Sequence, residues 1–296
     1  MKKIILENNE ITILIVLYKE TYGLISKTLE TLKSFKKIII DNGCDQGLKK
    51  KIESSYEIES YILNKANIGF SAGYNQAIKL CKTEFCLILG PDCIIEKKAI
   101  VKLYEAYVRY DKCFMVAPTS YNEDNELTYT GGPLPENSQK DKVLNLSGDT
   151  CVQSVLGACM LIKTNDIKEI EMFDENFFLY YSDDDLCRKI RKINKSIIQI
   201  YNAKCNHTHG LLVETNKYLK TFIREYNLTH DALYYYHKVD DTKYLNIVKK
   251  KTKNYLYKFI LKLLSLQLEE SVKIFSRLFA YYKFKLRFKR RDGRAV

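Results

Sequence analysis

Short apolar runs alternate with longer segments of helical spacing along the first 110 residues of the chain. The run Ile11–Leu17 is almost continuously apolar and rich in β-branched residues, which is typical of a strand buried on both faces of a parallel sheet. Further strands are predicted at Lys37–Ile40, Ser60–Leu63 and Phe85–Leu89. Helices are predicted at Leu24–Phe35, Leu48–Tyr56, Ser71–Cys81 and Lys97–Tyr110. Alternating strands and helices predict an α/β fold with a mainly parallel sheet flanked by helices.

The pattern is less regular from about residue 111 onward. Val155–Ile162 is apolar, with the small residues Gly157 and Ala158 at its centre. A helix is predicted to end near Asn194, and a further strand is predicted at Ser196–Tyr201. The second half is therefore expected to continue the layered α/β fold with longer loops.

Two polar clusters directly follow predicted strands. Asp41 opens the cluster Asp-Asn-Gly after the second strand, and Asp92 closes the cluster Gly-Pro-Asp after the fourth. Each cluster alone is typical of a turn, but ligands of parallel sheets bind beyond the carboxyl ends of the strands. Between them, the glycine-containing stretch Asn67–Asn75 allows a close approach of the backbone to a ligand. Its spacing matches neither a P-loop nor a dinucleotide-binding motif.

Three consecutive aspartates, Asp183–Asp185, follow the aromatic run Phe177–Tyr181. Carboxylates are costly to bury near apolar rings, so the cluster favours a site at which a carboxylate accepts a proton or faces a cation. The alternative is a solvated loop or the start of a helix, where acidic residues are favourable. Likewise, His207 and His209 form a pair that either binds a metal or phosphate or belongs to a solvated loop.

The net charge of +12 is concentrated at the C-terminal end. Residues 249–296 contain 15 Lys and Arg and 3 acidic residues, whereas the rest of the chain contains 33 of each. The basic residues are interleaved with Tyr, Phe and Leu, so 239–296 is predicted to be a basic, amphipathic helical extension. Such a surface fits an anionic membrane or a nucleic acid; the alternative is a basic helix packed on the preceding domain.

Cysteine usage and hydropathy indicate the cellular compartment in which the protein is expected. The nine cysteines include no Cys-x-x-Cys pair, which argues against a disulfide framework and against a zinc site. Most of them are expected to be small buried apolar residues in a reducing cytoplasm. No apolar stretch reaches about 18 residues, the length that spans a membrane, and residues 1–10 lack the apolar core of a signal peptide.

In their order and spacing these motifs resemble glycosyltransferase family 2, whose members have the GT-A fold, and most closely its bacterial rhamnosyltransferase branch. The resemblance covers about residues 10–235. The segments that carry it are the strand ending at Tyr18, Asp41–Gly43, Asn67–Asn75, Gly90–Asp92, Gly157–Leu161, Phe177–Leu186 and His207–Gly210. Two departures stand out: Gly90 replaces an Asn or Asp of the metal motif, and Ser182 stands where the family usually has Glu.

The resemblance implies a role for each site residue. Asp183 corresponds to the catalytic base, and Tyr181, Asp184 and Asp185 would bind the acceptor or support the base. Asp92 would hold Mg²⁺ or Mn²⁺ with the help of His207. The residues implied in nucleotide binding are Tyr18, Asp41, Asn67, Gly69, Gly73 and Asn75.

The resemblance also implies an activity. It suggests an inverting, metal-dependent enzyme that moves a sugar, with rhamnose as one candidate, from a dTDP- or UDP-linked donor to a glycan or lipid-linked acceptor in bacterial surface polysaccharide synthesis. A GT-A domain of Rossmann-like architecture would span 1–238, with a nucleotide-binding half near 1–100 and an acceptor half near 101–238. The extension 239–296 would place the enzyme at the inner face of the plasma membrane.

Two alternatives belong to other functional classes. A nucleic-acid-binding protein would use the basic extension, but the order of the motifs disfavours nucleic acid as a partner. An inactive relative would bind a sugar nucleotide without transferring the sugar, but the retention of Asp92 and Asp183 disfavours it.

Overall fold

The computed structural model describes residues 10–137, 143–144, 146–208 and 216–292. The strands in these ranges are β1 Ile11–Leu17, β2 Lys36–Asp41, β3 Ser60–Leu63, β4 Phe85–Leu89, β5 Cys93–Ile95, β6 Cys113–Tyr121, β7 Gly131–Gly132, β8 Thr150–Val152, β9 Ser154–Val155, β10 Cys159–Lys163 and β11 Ser196–His207. The helices are α1 Tyr22–Thr31, α2 Gln46–Ser55, α3 Gly69–Leu80, α4 Lys97–Arg109, α5 Thr164–Glu169, α6 Ser182–Lys192, α7 Lys217–Lys238, α8 Thr242–Leu264 and α9 Leu268–Asp292.

The central sheet is mixed, with the strand order β3-β2-β1-β4-β10-β6-β11-β5. Strands β3, β2, β1 and β4 run parallel to one another, which confirms the parallel half predicted from the sequence. Strand β10 is antiparallel to β4 and β6, and β5 is antiparallel to β11. The expected α/β class, a mainly parallel sheet with helices beside it, is therefore confirmed.

Helices cover both faces of this sheet because its central strands are apolar at nearly every position. In β1, Ile13 and Ile15 belong to one buried cluster, whereas Leu14 belongs to the other. The first cluster includes Leu29 of α1 and the second includes Ile78 of α3. The alternation of side chains along a strand thus divides the core into two layers.

Two element ends differ from the sequence prediction for identifiable reasons. Helix α2 begins before Leu48, because the Asp45 side chain caps it by accepting the Leu48 N–H at 2.9 Å. Strand β11 extends past Tyr201 to His207 after a register shift between Ile200 and Lys204, and this irregularity interrupts the apolar pattern. His207 therefore lies at the end of a strand and not in the predicted loop.

The apolar segment predicted at Val155–Ile162 consists of two strands, β9 and β10, separated by a turn that contains Gly157. The turn leaves the Gly157 N–H outside both strands. It donates instead to the carboxylate of Asp183.

The contacts within the chain divide it into two compact units: residues 1–175 with 182–211, and residues 176–181 with 212–296. The first unit contains the sheet and the second contains α7, α8 and α9. Helix α7 belongs with the other two because Leu233 and Phe284 share a buried cluster and Arg277 of α9 contacts Glu225 of α7 at 2.7 Å. The predicted catalytic domain, 1–238, thus includes one helix that packs with the extension.

The basic helical extension expected at 239–296 corresponds to α8 and α9. Helix α8 and the connection to α9 expose several large apolar side chains, among them Leu264 at 76% and Leu266 at 82%. Across the described part of the chain, none of the helices has a stretch long and apolar enough to traverse a bilayer.

Candidate active site

Asp41, at the carboxyl end of β2, is buried, and both of its carboxylate oxygens accept hydrogen bonds. Its Oδ1 accepts the Gly43 N–H at 2.7 Å and its Oδ2 accepts the Tyr61 hydroxyl at 2.9 Å. A Cβ at Gly43 would lie 2.7 Å from the Lys19 backbone nitrogen, so only glycine lets the turns after β1 and β2 approach this closely. Burial, together with the Asp41 carboxylate, raises the pKa of Tyr61, which keeps its hydroxyl a donor to Asp41.

The stretch Asn67–Asn75 forms the start of α3, and its residues have different structural roles. Asn67 accepts the Gly69 N–H at 2.9 Å, and Gly69 has a φ of 87°, a conformation that favours glycine. A Cβ at Gly73 would lie 2.9 Å from Val16, so this glycine allows α3 to pack against β1. The Asn75 side-chain amide donates to the Phe173 carbonyl at 2.9 Å, and its Oδ1 accepts the Phe173 N–H at 3.0 Å.

The half-buried Tyr18 follows β1, and its backbone N–H donates to the Glu20 carboxylate. Lys19, between them, has a φ of 63°. Burial raises the pKa of Glu20 to about 7, and the charges of Asp41 and Asp92 add to this rise. Glu20 was not identified from the sequence, although it follows a strand at the same sheet edge as Asp41 and Asp92. Three carboxylates thus lie near one another at the ends of β1, β2 and β4.

Asp92 and His207 are far apart in the sequence and adjacent in the structure. Strand pairing places His207 of β11 opposite Cys93 of β5, and the His207 Nε2 lies 3.2 Å from the Asp92 Oδ2. The Thr208 N–H also donates to the Asp92 carbonyl at 3.2 Å. A Cβ at Gly90 would lie only 2.8 Å from the Asp92 Oδ1. A side chain at position 90 would therefore displace the Asp92 carboxylate from this arrangement.

The side chains around Asp92 provide ligand atoms that suit a divalent cation. Ligand atoms of Asp92, Cys93 and His207 all lie within 4.8 Å of one another. A carboxylate oxygen and an imidazole nitrogen are ligands that transition-metal cations accept. The residues predicted from the sequence to bind a metal, Asp92 and His207, are therefore brought together with an additional potential ligand, Cys93, that was not predicted.

The acidic run forms the first turn of α6, and its three aspartates are buried. The helix start expected as one alternative is present, but the burial excludes a solvated loop. The Asp183 Oδ2 accepts the Gly157 N–H at 2.9 Å, and its Oδ1 accepts the Asp184 N–H at 3.0 Å. These two bonds fix the orientation of the Asp183 carboxylate at the N-terminus of α6. Asp183 remains 8% exposed.

The neighbours of Asp183 are more deeply buried. Asp184 is 0% exposed, and its Oδ1 accepts the Ser154 hydroxyl at 2.6 Å. Asp185 is 2% exposed. In this conformation Asp184 fixes the start of α6 to β9 and has no surface for an acceptor to contact, which agrees with a supporting role only.

In the second unit, the segment 176–181 is bonded to α7. Asp231, fully buried, accepts the Leu179 and Tyr180 N–H groups at 2.9 Å each. The rings of Tyr181 and Tyr235 lie 5.3 Å apart, and Tyr181 has a φ of 62°. Asp231 was also missed from the sequence, although a lone acid in an aromatic helix segment indicates a buried polar partner.

Comparison with known proteins gives the family. The model of glycosyl transferase family 2 matches residues 12–170. The chain is 26% identical over 211 residues to the low-salt glycan biosynthesis hexosyltransferase Agl10 of Haloferax volcanii, a match that covers 64% of each chain. The match thus spans slightly less than two thirds of that relative.

Two solved structures share the fold. GalNAc-T7 with UDP, GalNAc and Mn²⁺ matches 74% of this chain and 50% of its own, at 10% identity and a TM-score of 0.55. The mannosyltransferase PcManGT from Pyrobaculum calidifontis, in complex with GDP-Man and Mn²⁺, matches 74% of this chain and 62% of its own, at 10% identity and a TM-score of 0.51. At this identity the likeness shows the GT-A fold alone.

Proposed function

Because the chain belongs to glycosyl transferase family 2, we propose that it transfers a sugar from a nucleoside-diphosphate donor to an acceptor hydroxyl with inversion at the anomeric carbon. The observation that carries the proposal is the adjacency of Asp92 and His207 at one end of the sheet, in the same compact unit as the exposed edge of Asp183. A transferase of this kind needs a cation site for the leaving diphosphate and a base for the acceptor.

On the donor side, Tyr18 would contact the nucleoside, and the backbone around Asn67 and Gly69 would line the same edge. Asp41 would hold this edge in shape through its bonds to Gly43 and Tyr61. Gly73 and Asn75 would support that edge through their packing. Asp92 and His207 would hold Mg²⁺ or Mn²⁺. When bound, the cation supplies positive charge that neutralises the diphosphate as it leaves.

On the acceptor side, Asp183 would act as the general base. The acceptor oxygen attacks the anomeric carbon, the bond from that carbon to the diphosphate oxygen breaks, and the acceptor proton passes to the Asp183 carboxylate. One carboxylate is sufficient for such a direct displacement. The hydrogen bond from the Gly157 N–H orients this carboxylate before the reaction, while Tyr181 and Asp185 would contact or orient the acceptor.

The relatives support a proposal for the substrate class. Agl10 is a hexosyltransferase of glycan biosynthesis, and the two structural neighbours contain UDP or GDP-Man with Mn²⁺. We propose a hexosyl donor linked to UDP or dTDP, with dTDP-rhamnose the first to test, and a glycan or lipid-linked acceptor of a surface polysaccharide.

The experiment is a screen of sugar nucleotides by calorimetry and by release of the nucleoside diphosphate, with Mn²⁺, with Mg²⁺ and without a cation. The proposal expects one donor class to bind in a cation-dependent manner and to be turned over when a glycan or lipid-linked acceptor is added. Binding without turnover for any acceptor tested would favour the inactive relative instead.

We further propose that α8 and the start of α9 bind an anionic membrane surface on the cytoplasmic side. Lys258 and Lys262 lie among exposed apolar side chains of α8, a composition that combines electrostatic attraction with insertion of apolar groups. The exposed apolar residues are Leu256, Tyr257, Ile260, Leu261, Leu263, Leu264, Leu266 and Leu268. Membrane binding would concentrate the enzyme at the surface in which a lipid-linked acceptor resides.

Flotation with anionic liposomes tests the proposed membrane binding. Truncation is unsuitable, because α9 packs on α7. Leu264→Asp with Leu266→Asp should reduce binding by at least about tenfold, since burial of one leucine side chain contributes about 1.5–3 kcal/mol. The control, Asn254→Asp with Gln267→Glu, adds the same charge at exposed polar positions and should retain most binding. Equal flotation of both double variants would contradict the proposed membrane binding. Preferential, salt-sensitive binding of RNA would support the nucleic-acid alternative.

A further inference from the structure

Three buried cysteines lie beneath the pair formed by Asp92 and His207. Cys93 follows Asp92 directly, Cys205 precedes His207 by two residues on the same strand, and Cys159 begins β10. The Cys205 thiol interacts with both Cys93 and Cys159. The sequence predicted these residues to be small apolar core members, and their burial agrees with that role. The position of Cys93 also makes it a candidate metal ligand.

Cys93 is placed by strand pairing. In the antiparallel pair of β5 and β11, Cys93 lies directly opposite His207, and residues opposite each other in such a pair project to the same face of the sheet. The Cys93 Sγ is 4.0 Å from the Asp92 Oδ1. Within the described ranges, Asp92, Cys93 and His207 form a group whose three donor atoms lie within 4.8 Å of one another.

These separations suit a single cation. Zn–S and Zn–N bonds of about 2.3 and 2.1 Å place the ligands of a tetrahedral cation about 3.5 Å apart, so a small side-chain rotation would complete the site. Gly90 adds to this picture, because a Cβ there would lie 3.3 Å from the Cys93 Sγ and 2.8 Å from Asp92. A side chain at position 90 would occupy the space into which the thiol points.

We propose that Cys93 is the third protein ligand of the cation site and that it takes the place of the carboxylate absent at Gly90. The proposal deepens the proposed function, since it rests on Asp92 and His207 as the cation site of the donor. Thiolate is a soft ligand that binds Zn²⁺, Co²⁺ or Fe²⁺ and has little affinity for Mg²⁺. Cys93 would therefore make the site selective for a transition metal, and the thiol proton would leave as the cation binds.

Absorption spectroscopy of the full-length protein with Co²⁺ alone tests the proposal directly. Cys44 and Cys151 are exposed, so both are first replaced by serine to exclude thiolate binding elsewhere. Titration of this protein with Co²⁺ should produce a thiolate-to-cobalt charge-transfer band in the near ultraviolet. Cys93→Ser should lose that band while the weaker visible bands of bound Co²⁺ remain. The matched control, Cys159→Ser, removes an equally buried thiol of the same cluster and should keep the band.

Affinity measurements complete the test. Cys93→Ser should weaken Co²⁺ and Zn²⁺ binding by about tenfold or more, since even residues that only orient a ligand are worth about 10- to 100-fold, and should leave Mg²⁺ binding nearly unchanged. The proposal is overturned if the parent protein shows no charge-transfer band, or if the band survives Cys93→Ser. Sugar-nucleotide binding is measured separately, so a protein with the band but no donor affinity would refute the proposed function and leave the cation site standing.

Discussion

The sheet edge that we propose to bind the donor and the start of α6 both carry buried carboxylates, but these are positioned by different means. Asp41 ends β2 and Asp92 lies three residues after β4, so the pairing of the sheet strands positions both. Asp183 instead begins a helix, and its carboxylate is oriented by the Gly157 N–H, which is distant in sequence. The chain enters that helix through 176–181, a segment bonded to Asp231 of α7. Donor binding should therefore tolerate changes that impair the catalytic step.

The largest expected effect separates these two regions at Asp183. Asp183→Asn keeps the shape of the side chain and removes its ability to take a proton, so turnover should fall by about 10² or more, the scale of general-base catalysis. Donor affinity, measured by calorimetry, should be unchanged. Asp124→Asn, at an exposed position, is the matched control, and Asp184→Asn and Asp185→Asn test the two neighbours. Near-normal turnover in Asp183→Asn with a loss in either neighbour would assign the base to that neighbour.

A second prediction concerns Asp231, which bonds the segment that leads into Asp183, the proposed base. Asp231→Ala leaves the Leu179 and Tyr180 N–H groups without their buried acceptor, which should lower the free energy of unfolding by about 3 kcal/mol. We expect kcat to fall while donor affinity remains the same. Asp231→Asn retains an acceptor oxygen and should recover most of kcat. Equal losses in kcat and donor affinity would indicate a general loss of structure and contradict the positioning role.

The third prediction concerns Glu20, which lies near Asp41 and Asp92. Glu20 has a pKa of about 7 in the folded protein, against an ordinary value of 4.5. The folded state therefore binds more protons between these pH values, so stability falls as pH rises from about 4.5 to 7. Glu20→Gln should be more stable than the parent at pH 8, by at most roughly 3 kcal/mol, with little difference near pH 4.

Chemical denaturation at several pH values measures this difference. Glu30→Gln alters an exposed glutamate of α1 and should not reproduce the gain at pH 8. If both variants follow the same pH dependence as the parent, the three carboxylates at the ends of β1, β2 and β4 do not oppose one another as their positions indicate.

The sequence predicted the parallel half of the sheet well, because the strand Phe85–Leu89 and its neighbours are continuous apolar runs bounded by turn residues. It could not predict the full length of β11, since the irregularity after Ile200 breaks the apolar pattern before His207. Asp92 and His207 were assigned together only through a family resemblance, and strand pairing provides the physical reason for their proximity.

The site residues that sequence reasoning missed were missed for the same physical reason. Glu20, Cys93 and Asp231 gain their significance from partners that are distant in the chain or from burial that no local pattern reveals. Glu20 is crowded by Asp41 and Asp92, Cys93 faces His207 across a strand pair, and Asp231 bonds a segment about 50 residues earlier in the chain. Local periodicity predicts which residues are buried, but not which polar groups meet.

The central claim is that Asp92 and His207 make donor binding depend on a divalent cation. Calorimetric titration of a UDP- or dTDP-linked hexose into the full-length protein, with and without Mn²⁺, tests it most directly. The account predicts a cation-dependent gain in affinity for the parent and for Asp124→Ala, an exposed control, and the loss of that gain in Asp92→Ala with the cation-free affinity retained. An undiminished Mn²⁺-dependent gain in Asp92→Ala would contradict the account.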